Sequence, residues 1–266
     1  MTSCSEIDRR IAAAQQAVMA ETARLHAEFG RARAELKYDG TRVTAVDIAI
    51  SESIQRAITA QFPEDQFFSE ELAVTDQPIP VTAPYCWVLD PIDGTNNYAN
   101  GIPYVSISLA LLHDGVPIYG VIYDMARRVL MHGGPGRGLW DDGRAARVST
   151  EPPHSNSLIG FHSPVEKVYA AEGKRLIEQF KIRGLGSSAL HLAYAAVGHL
   201  EGVVEHNNRI WDVAAAAALI VEGGGELHYL TPAPFPMKEF WLKSPRVQYV
   251  AGNAAMCARL HEILGR

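Results

Sequence analysis

The sequence predicts an α/β fold built in layers, and three observations carry that expectation. The first half opens on helical periodicity and then runs through short apolar segments spaced like strands; the second half alternates strand and helix; a stretch with two adjacent prolines separates them. With 266 residues, 47% of them hydrophobic and 20% charged, the chain is long enough to bury roughly three quarters of its unfolded surface.

The elements follow in order. Residues 5 to 29 keep apolar side chains at Ile7, Ile11, Ala14, Val18, Leu25 and Phe29, with capping-box spacing from Ser3 to Glu6, and predict a long amphipathic helix. The segment Glu35 to Thr44 carries the turn signal Asp39-Gly40 and predicts a hairpin, followed by a helix over Asp47 to Phe62. Strands are expected at Gln66 to Ser69, Tyr85 to Leu89, Tyr104 to His113, Val116 to Tyr123 and Val129 to His132, with Asp114-Gly115 joining two of them. Ser149 to Ser157 reads as a connection, so the expected division is an N-terminal α+β subdomain (1–150) and a C-terminal α/β subdomain (151–266). Beyond it the pattern predicts a strand at Leu158 to His162, helices at Pro164 to Phe180 and Ser188 to Val197, a strand at Gly202 to Glu205, a helix at Trp211 to Glu222, a strand at Val247 to Gly252 and a helix at Ala254 to Leu264.

Composition excludes several classes. A net charge of -6 provides no basic field for a phosphate backbone or an anionic membrane, so no nucleic acid partner is expected. Apolar runs such as Val213 to Val221 fall far short of the roughly 20 residues a spanning helix needs. Met1 to Arg10 holds two acids and two arginines without an apolar block, and the three cysteines, Cys4, Cys86 and Cys257, lack metal-type spacing; a cytoplasmic location is expected. None of the ten histidines forms H-E-x-x-H or pairs with a cysteine at zinc spacing.

The sharpest feature is Trp87-Val88-Leu89-Asp90-Pro91-Ile92-Asp93-Gly94-Thr95, an apolar strand ending in one carboxylate with a second three residues on. Pro91 biases Leu89-Asp90 toward extended geometry, and Gly94 permits a tight turn that would bring Asp90, Asp93 and the Ile92 carbonyl to one point. Crowded carboxylates need a compensating cation, and oxygen-only ligands favour a hard ion such as Mg²⁺. Thr95 opens a short helix whose free N–H groups suit a phosphate. A plain turn capped by Asp93 fits the same residues.

Asp90-Pro91-Ile92-Asp93-Gly94-Thr95 resembles the signature of the inositol monophosphatase family of Mg²⁺-dependent, lithium-sensitive phosphatases. Lys37-Tyr38-Asp39-Gly40-Thr41-Arg42-Val43-Thr44-Ala45-Val46-Asp47 resembles its upstream block, Phe68-Ser69-Glu70-Glu71 its Gly-Glu-Glu, and Trp211-Asp212-Val213-Ala214-Ala215 with Glu222-Gly223-Gly224-Gly225 its C-terminal motif. Four motifs in the family's order span roughly residues 5 to 265. The resemblance implies a layered αβαβα sandwich of the inositol monophosphatase and fructose-1,6-bisphosphatase type. It also implies two, or with a weaker one near Glu70 three, Mg²⁺ ions. The first would be held by Glu70, Asp90 and the Ile92 carbonyl, the second by Asp90, Asp93 and Asp212. Thr95, Asp47 and Glu70 form the catalytic group it implies, with Asp93, Gly94, Thr95, Gly186, Ser187, Ser188, Glu205 and Asp212 around the substrate. The expected activity is hydrolysis of a small phosphate monoester, with inositol 1-phosphate leading, by a homodimer.

Alternatives stand beside this reading. Lys37 to Thr41 also resembles the block of histidinol-phosphate phosphatases, and fructose 1,6-bisphosphate and 3'-phosphoadenosine 5'-phosphate are further candidate substrates. Some family members act as scaffolds or bind RNA polymerase. Read singly, Glu70 and Glu71 fit solvated acids, Asp47 a surface helix residue, Asp212 an acid at a helix N-terminus and Glu205 an exposed strand end. Gly184-Leu185-Gly186-Ser187-Ser188-Ala189 fits the dinucleotide fingerprint G-x-G-x-x-A, with Glu205 near the place of a ribose-binding acid. Two departures from the family pattern are Ser69 for glycine, expected to cause a small local adjustment, and Gly223 for alanine, expected to loosen a helix end by about 1 kcal/mol or less.

Overall fold

The computed structural model describes residues 2–31, 34–36, 42–72 and 77–266. In chain order the first half holds α1 (Thr2–Ala27), β1 (Ala34–Leu36), β2 (Arg42–Thr44), α2 (Ala45–Thr59), β3 (Gln66–Ser69), β4 (Ile79–Pro80), β5 (Tyr85–Asp93), α3 (Thr95–Ala99), β6 (Ser106–His113), β7 (Val116–Asp124), β8 (Val129–Gly133), β9 (Leu139–Asp141) and β10 (Arg144–Ala145). After the irregular stretch that includes Ser149 to Ser157 come β11 (Leu158–Phe161), α4 (Ala170–Gln179), β12 (Lys181–Arg183), α5 (Ser188–Ala196), β13 (Gly202–Asn208), α6 (Ile210–Glu222), β14 (Glu226–Tyr229), β15 (Glu239–Phe240), β16 (Val247–Gly252) and α7 (Ala254–Leu264).

Two sheets organise the layers. The larger has the order β10-β9-β8-β7-β6-β5-β3, antiparallel throughout except for the parallel pair β3 and β5. The smaller runs β12-β11-β13-β16-β14, with β11 parallel to both β12 and β13. One face of the larger sheet, through Trp87, Leu89, Ile107, Leu109 and Val121, packs on Val18, Leu25, Ile50 and Ile54 of α1 and α2. Its other face, through Cys86, Val88, Ala110 and Ile122, packs on α5 and α6, which also bury Val203, Tyr249 and Ala251 of the smaller sheet. The outer face of that second sheet is covered by α4 and α7 through Leu176, Met256 and Leu260. The sequence of layers is therefore αβαβα, as expected from the motifs.

Burial on both faces explains why β5 reads as an unbroken apolar run rather than an alternating one. It is anchored by an ion pair in the core. Arg10 of α1 donates from Nε and Nη2 to the two oxygens of Asp65 at 2.8 and 2.7 Å, and Trp87 Nε1 donates to Asp65 Oδ2 at 2.9 Å. Both charges are buried and satisfied, so the pair fixes where β5 lies against α1.

Several expectations change in detail. The expected helix from Pro164 starts only at Ala170, after a 3₁₀ turn at Lys167–Tyr169, because Val165 and Val168 stay exposed and the buried face begins at Gly173 and Leu176. β5 and β13 run past their expected ends, to Asp93 and Asn208, each through a break in register that periodicity does not reveal. Strands β4, β9, β10, β12 and β15, of two or three residues, are too short to show a period, and β14 is only half-buried. β1 and β2 pair antiparallel as the expected hairpin requires, while the expected turn at Asp39-Gly40 and the block Lys37 to Thr41 lie outside the described residues.

Candidate active site

Alternation along β5 sends Asp90 to the same face as Cys86 and Val88, the face covered by α5 and α6. Asp212, the third residue of α6, arrives there from the other side, its Oδ2 accepting from the Arg209 backbone N–H at 2.6 Å. The break in β5 between Asp90 and Asp93 turns Asp93 inward as well. One carboxylate oxygen from each of Asp90, Asp93 and Asp212 lies within 4.8 Å of the other two. Asp90 and Asp93 are buried and Asp212 is half-buried.

Burial raises the pKa of all three acids, and neighbouring carboxylates add to it at Asp90 and Asp212. Asp90 is pushed well above its usual range by burial first, then by the charges of Glu70, Asp93 and Asp212. Asp212 is raised by burial and by Asp93 and Glu70. Asp93 rises to about 6 through burial, held back by its bonds to Ser187 and Ala189. Asp90 Oδ1 is buried with no hydrogen-bond partner, an arrangement that a cation would relieve. The donor set, oxygen only, suits a hard divalent ion. Glu70 stands outside the trio at the end of β3, half-buried, with its backbone N–H on the Leu89 carbonyl at 3.2 Å and its charge acting on Asp90 and Asp212.

Asp47 is 1% exposed, which removes its reading as a surface residue. Its Oδ2 accepts from Thr44 N–H at 2.8 Å and Thr44 Oγ1 at 2.6 Å, closing a capping box on α2, and its Oδ1 accepts from Thr95 Oγ1 at 3.3 Å. Thr95 Oγ1 also lies 2.9 Å from the Ile92 carbonyl. Gly94, not Asp93, precedes α3 as its cap, at φ 93°. A Cβ there would sit 2.9 Å from the Tyr104 carbonyl and 3.0 Å from that of Gly186, so only glycine lets the 184–188 loop close on α3.

Asp93 instead serves α5. Its Oδ2 accepts from the Ser187 hydroxyl and, at 2.8 Å, from Ala189 N–H, which leaves Ser187 buried and Gly186 exposed at the rim. Asn97, unnoticed in the sequence, ties the same loop by donating to the carbonyls of Tyr104 at 2.9 Å and Leu185 at 2.7 Å. Nothing in its spacing announces this, since both partners are backbone carbonyls and one of them is 88 positions away.

Next to the loop is a cavity of about 130 Å³ lined by His162, Ser188, His191, Glu205, Asn207 and Asn208, among others. Glu205 is fully buried, not an exposed strand end. Its Oε1 meets His191 Nδ1 at 2.6 Å, and its Oε2, with His162 Nδ1 at 3.8 Å, has no hydrogen-bond partner. Sequence spacing gives His162 and His191 no role; only the register of β11 beside β13 and the turn of α5 bring them to Glu205.

The two departures from the motifs also acquire reasons. Ser69 is buried, its hydroxyl 2.8 Å from Ser51 Oγ and accepting from Glu71 N–H at 3.3 Å, so it braces the strand end that carries Glu70. Gly223 has a packing reason beside its helix propensity: a Cβ there would come 2.7 Å from the Ala196 carbonyl and 3.0 Å from Leu139 Cδ2, so glycine lets α5, α6 and β9 meet.

The model of the Inositol monophosphatase family matches residues 4–264. The chain belongs to the inositol monophosphatase family. Relatives include inositol monophosphatase 1 of Sus scrofa, 30% identical over 73% of this chain and 73% of its own length. Inositol-1-monophosphatase ImpA of Mycolicibacterium smegmatis is 33% identical over 72% of this chain and 71% of its own length, and a Nus factor SuhB of Xylella fastidiosa is 33% identical over 67% and 66%. Among solved structures, the extragenic suppressor protein SuhB of Bartonella henselae superposes with a TM-score of 0.85 at 26% identity, covering 97% of this chain and 99% of that one. The chain is thus a metal-dependent phosphatase of the inositol monophosphatase type, and the G-x-G-x-x-A segment is the loop that Asn97 ties down over α3. Among the described residues, no helix is long and apolar enough to cross a membrane.

Proposed function

We propose that this phosphatase hydrolyses the phosphate monoester of a small polyol, inositol 1-phosphate first among them, with Mg²⁺ as its metal. The observation that carries the reading is the convergence of Asp90, Asp93 and Asp212 next to a small polar cavity floored by Glu205. Glu70, Asp90 and the Ile92 carbonyl would hold one ion, and Asp90, Asp93 and Asp212 a second. When bound, the ions make water a competent nucleophile near neutral pH and offset charge on the departing alkoxide.

The remaining work falls to the protein's own groups. Thr95 Oγ1 has one proton and two acceptors in reach, Asp47 and the Ile92 carbonyl. With that proton given to Asp47, its lone pairs can accept from the attacking water and orient it. Backbone N–H groups at Gly94 and Thr95 would face the phosphate. On the alcohol side, His191 Nε2 accepts from Leu185 N–H at 2.9 Å, so Nδ1 carries the ring proton and donates it to Glu205 Oε1. Glu205 Oε2 is left to accept from a substrate hydroxyl.

That same oxygen would accept from an ammonium group, which supports histidinol phosphate as a second reading. A panel of inositol 1-phosphate, histidinol phosphate, fructose 1,6-bisphosphate and 3'-phosphoadenosine 5'-phosphate, assayed for phosphate release in Mg²⁺ and in EDTA, tests the proposal. The highest kcat/KM on inositol 1-phosphate supports it; a higher value on any other member of the panel overturns the substrate, and full turnover in EDTA overturns the metal.

A further inference from the structure

A second cluster of ligand-type side chains lies away from the acids, between the edge strand β14 and the outer helix α7. On β14, Glu226 and His228 are two residues apart and so share a face. On α7, Cys257 and His261 are four apart and share a face too. The packing turns these faces toward each other. One donor atom from each of Glu226, His228 and Cys257 lies within 4.8 Å of the other two. His228 Nε2 is 3.0 Å from Glu226 Oε2, and His228 Nδ1 is 3.1 Å from His261 Nε2.

We infer that Glu226, His228 and Cys257 form a binding site for a thiophilic divalent cation, Zn²⁺ by preference, with His261 orienting the His228 ring. The donor set decides the ion. A thiolate, an imidazole and a carboxylate suit Zn²⁺ and are a poor match for Mg²⁺, which takes oxygen. Three protein ligands leave one position of a tetrahedron to solvent. Zinc needs its donors roughly 3.3 to 3.8 Å apart, and the side chains of His228 and Glu226, 42% and 43% exposed, have room to close in on the buried thiol beneath them. Burial and the Glu226 charge push the Cys257 thiol up to about 12, so without metal it is protonated and unreactive, and binding releases its proton. A bound ion would tie an edge strand to the helix that covers it.

The test uses the full chain stripped of metal and returned to excess Mg²⁺, which occupies the oxygen-lined site. Cobalt titration should produce a thiolate-to-cobalt charge-transfer band that saturates at one equivalent per chain. Cys257→Ser should abolish the band and Cys86→Ser should keep it. His228→Ala, at a half-exposed position, should fold, retain Mg²⁺-dependent phosphatase activity and bind Zn²⁺ at least about tenfold more weakly by calorimetry. Calorimetry of the wild type in buffers of different ionisation enthalpy should count the released proton. Absence of the band, its persistence in Cys257→Ser, or unchanged Zn²⁺ affinity in His228→Ala overturns the assignment.

Discussion

His191 Nδ1 lies 2.6 Å from Glu205 Oε1, and both side chains are buried. Because the other ring nitrogen accepts from Leu185 N–H, the proton between them belongs to the imidazole and Glu205 remains an acceptor. Glu205→Gln should keep the His191 contact and present an amide N–H₂ to the cavity in place of the free oxygen. Losing a charge-assisted bond worth about 1.5 to 3 kcal/mol should lower kcat/KM for the proposed polyol substrate roughly ten- to a hundredfold. Hydrolysis of p-nitrophenyl phosphate, which has no such hydroxyls, should change little. An equal fall on both substrates would show that Glu205 supports the fold instead.

Asp90 is the acid with the most to lose. It is raised by every other carboxylate of the cluster and has one oxygen without a partner. Asp90→Asn should lower kcat by at least about a hundredfold, since ion positioning and charge stabilisation fail together. The same substitution should raise Tm in EDTA, where the native carboxylate is a liability. A near-native rate would reduce Asp90 to a turn residue.

Under the proposed mechanism, Asp47 joins a chemical duty to its structural one in the capping box of α2. Thr95→Val should lower kcat with Tm nearly unchanged, because only the hydroxyl facing Asp47 and Ile92 is removed. Asp47→Ala should lower kcat and also cost about 1 to 2 kcal/mol by opening the capping box of α2. Paired assays and melts of the two variants separate the roles; a stability loss in Thr95→Val as large as in Asp47→Ala would contradict the division.

How much of this was legible in the sequence depends on the range of each interaction. Asp90, Asp93 and Thr95 sit within six residues of one another, so local spacing exposes them, and the layered core is visible because α1 and α2 carry a helical period while β5 to β8 are apolar runs of strand length bounded by turn signals. Asp212 entered only through family resemblance, since an acid at N3 of α6 has a sufficient local reason in the Arg209 N–H it accepts. Asn97, His162 and His191 act through partners that only tertiary packing brings near, and Cys257 with His228 is 29 positions apart in no motif. Gly223 is a related case: propensity sees only a weak helix end, whereas the close approach to the Ala196 carbonyl is visible only in the packed structure.

Gly223→Ala tests that last point. The added methyl must displace backbone where α5 meets α6, and overpacking of this kind costs about 1 to 3 kcal/mol. Thermal or denaturant unfolding should show the loss, and a gain in stability, as helix propensity alone would give, would refute the close approach.

The acids also predict how metal and pH interact. The Asp93 carboxyl titrates at about 6 in the folded protein against an ordinary 3.8, and Asp90 and Asp212 are displaced in the same direction. Between those values the metal-free folded protein holds protons that the unfolded chain has released. By linkage, its stability from this cluster is present below the ordinary carboxylate range and is lost as pH rises through about 6. A divalent cation supplies the missing positive charge once the protons leave. The Tm gap between protein in Mg²⁺ and in EDTA should therefore be small at about pH 5 and widen toward about pH 8. His162 and His206, held low by burial and acid-sensitive in the opposite sense, act in both arms and cancel from the difference. Asp90→Asn should shrink the gap at the upper end. A gap of constant size in the native protein would mean that the cation binds without displacing protons, and that these three carboxylates are not the groups it neutralises.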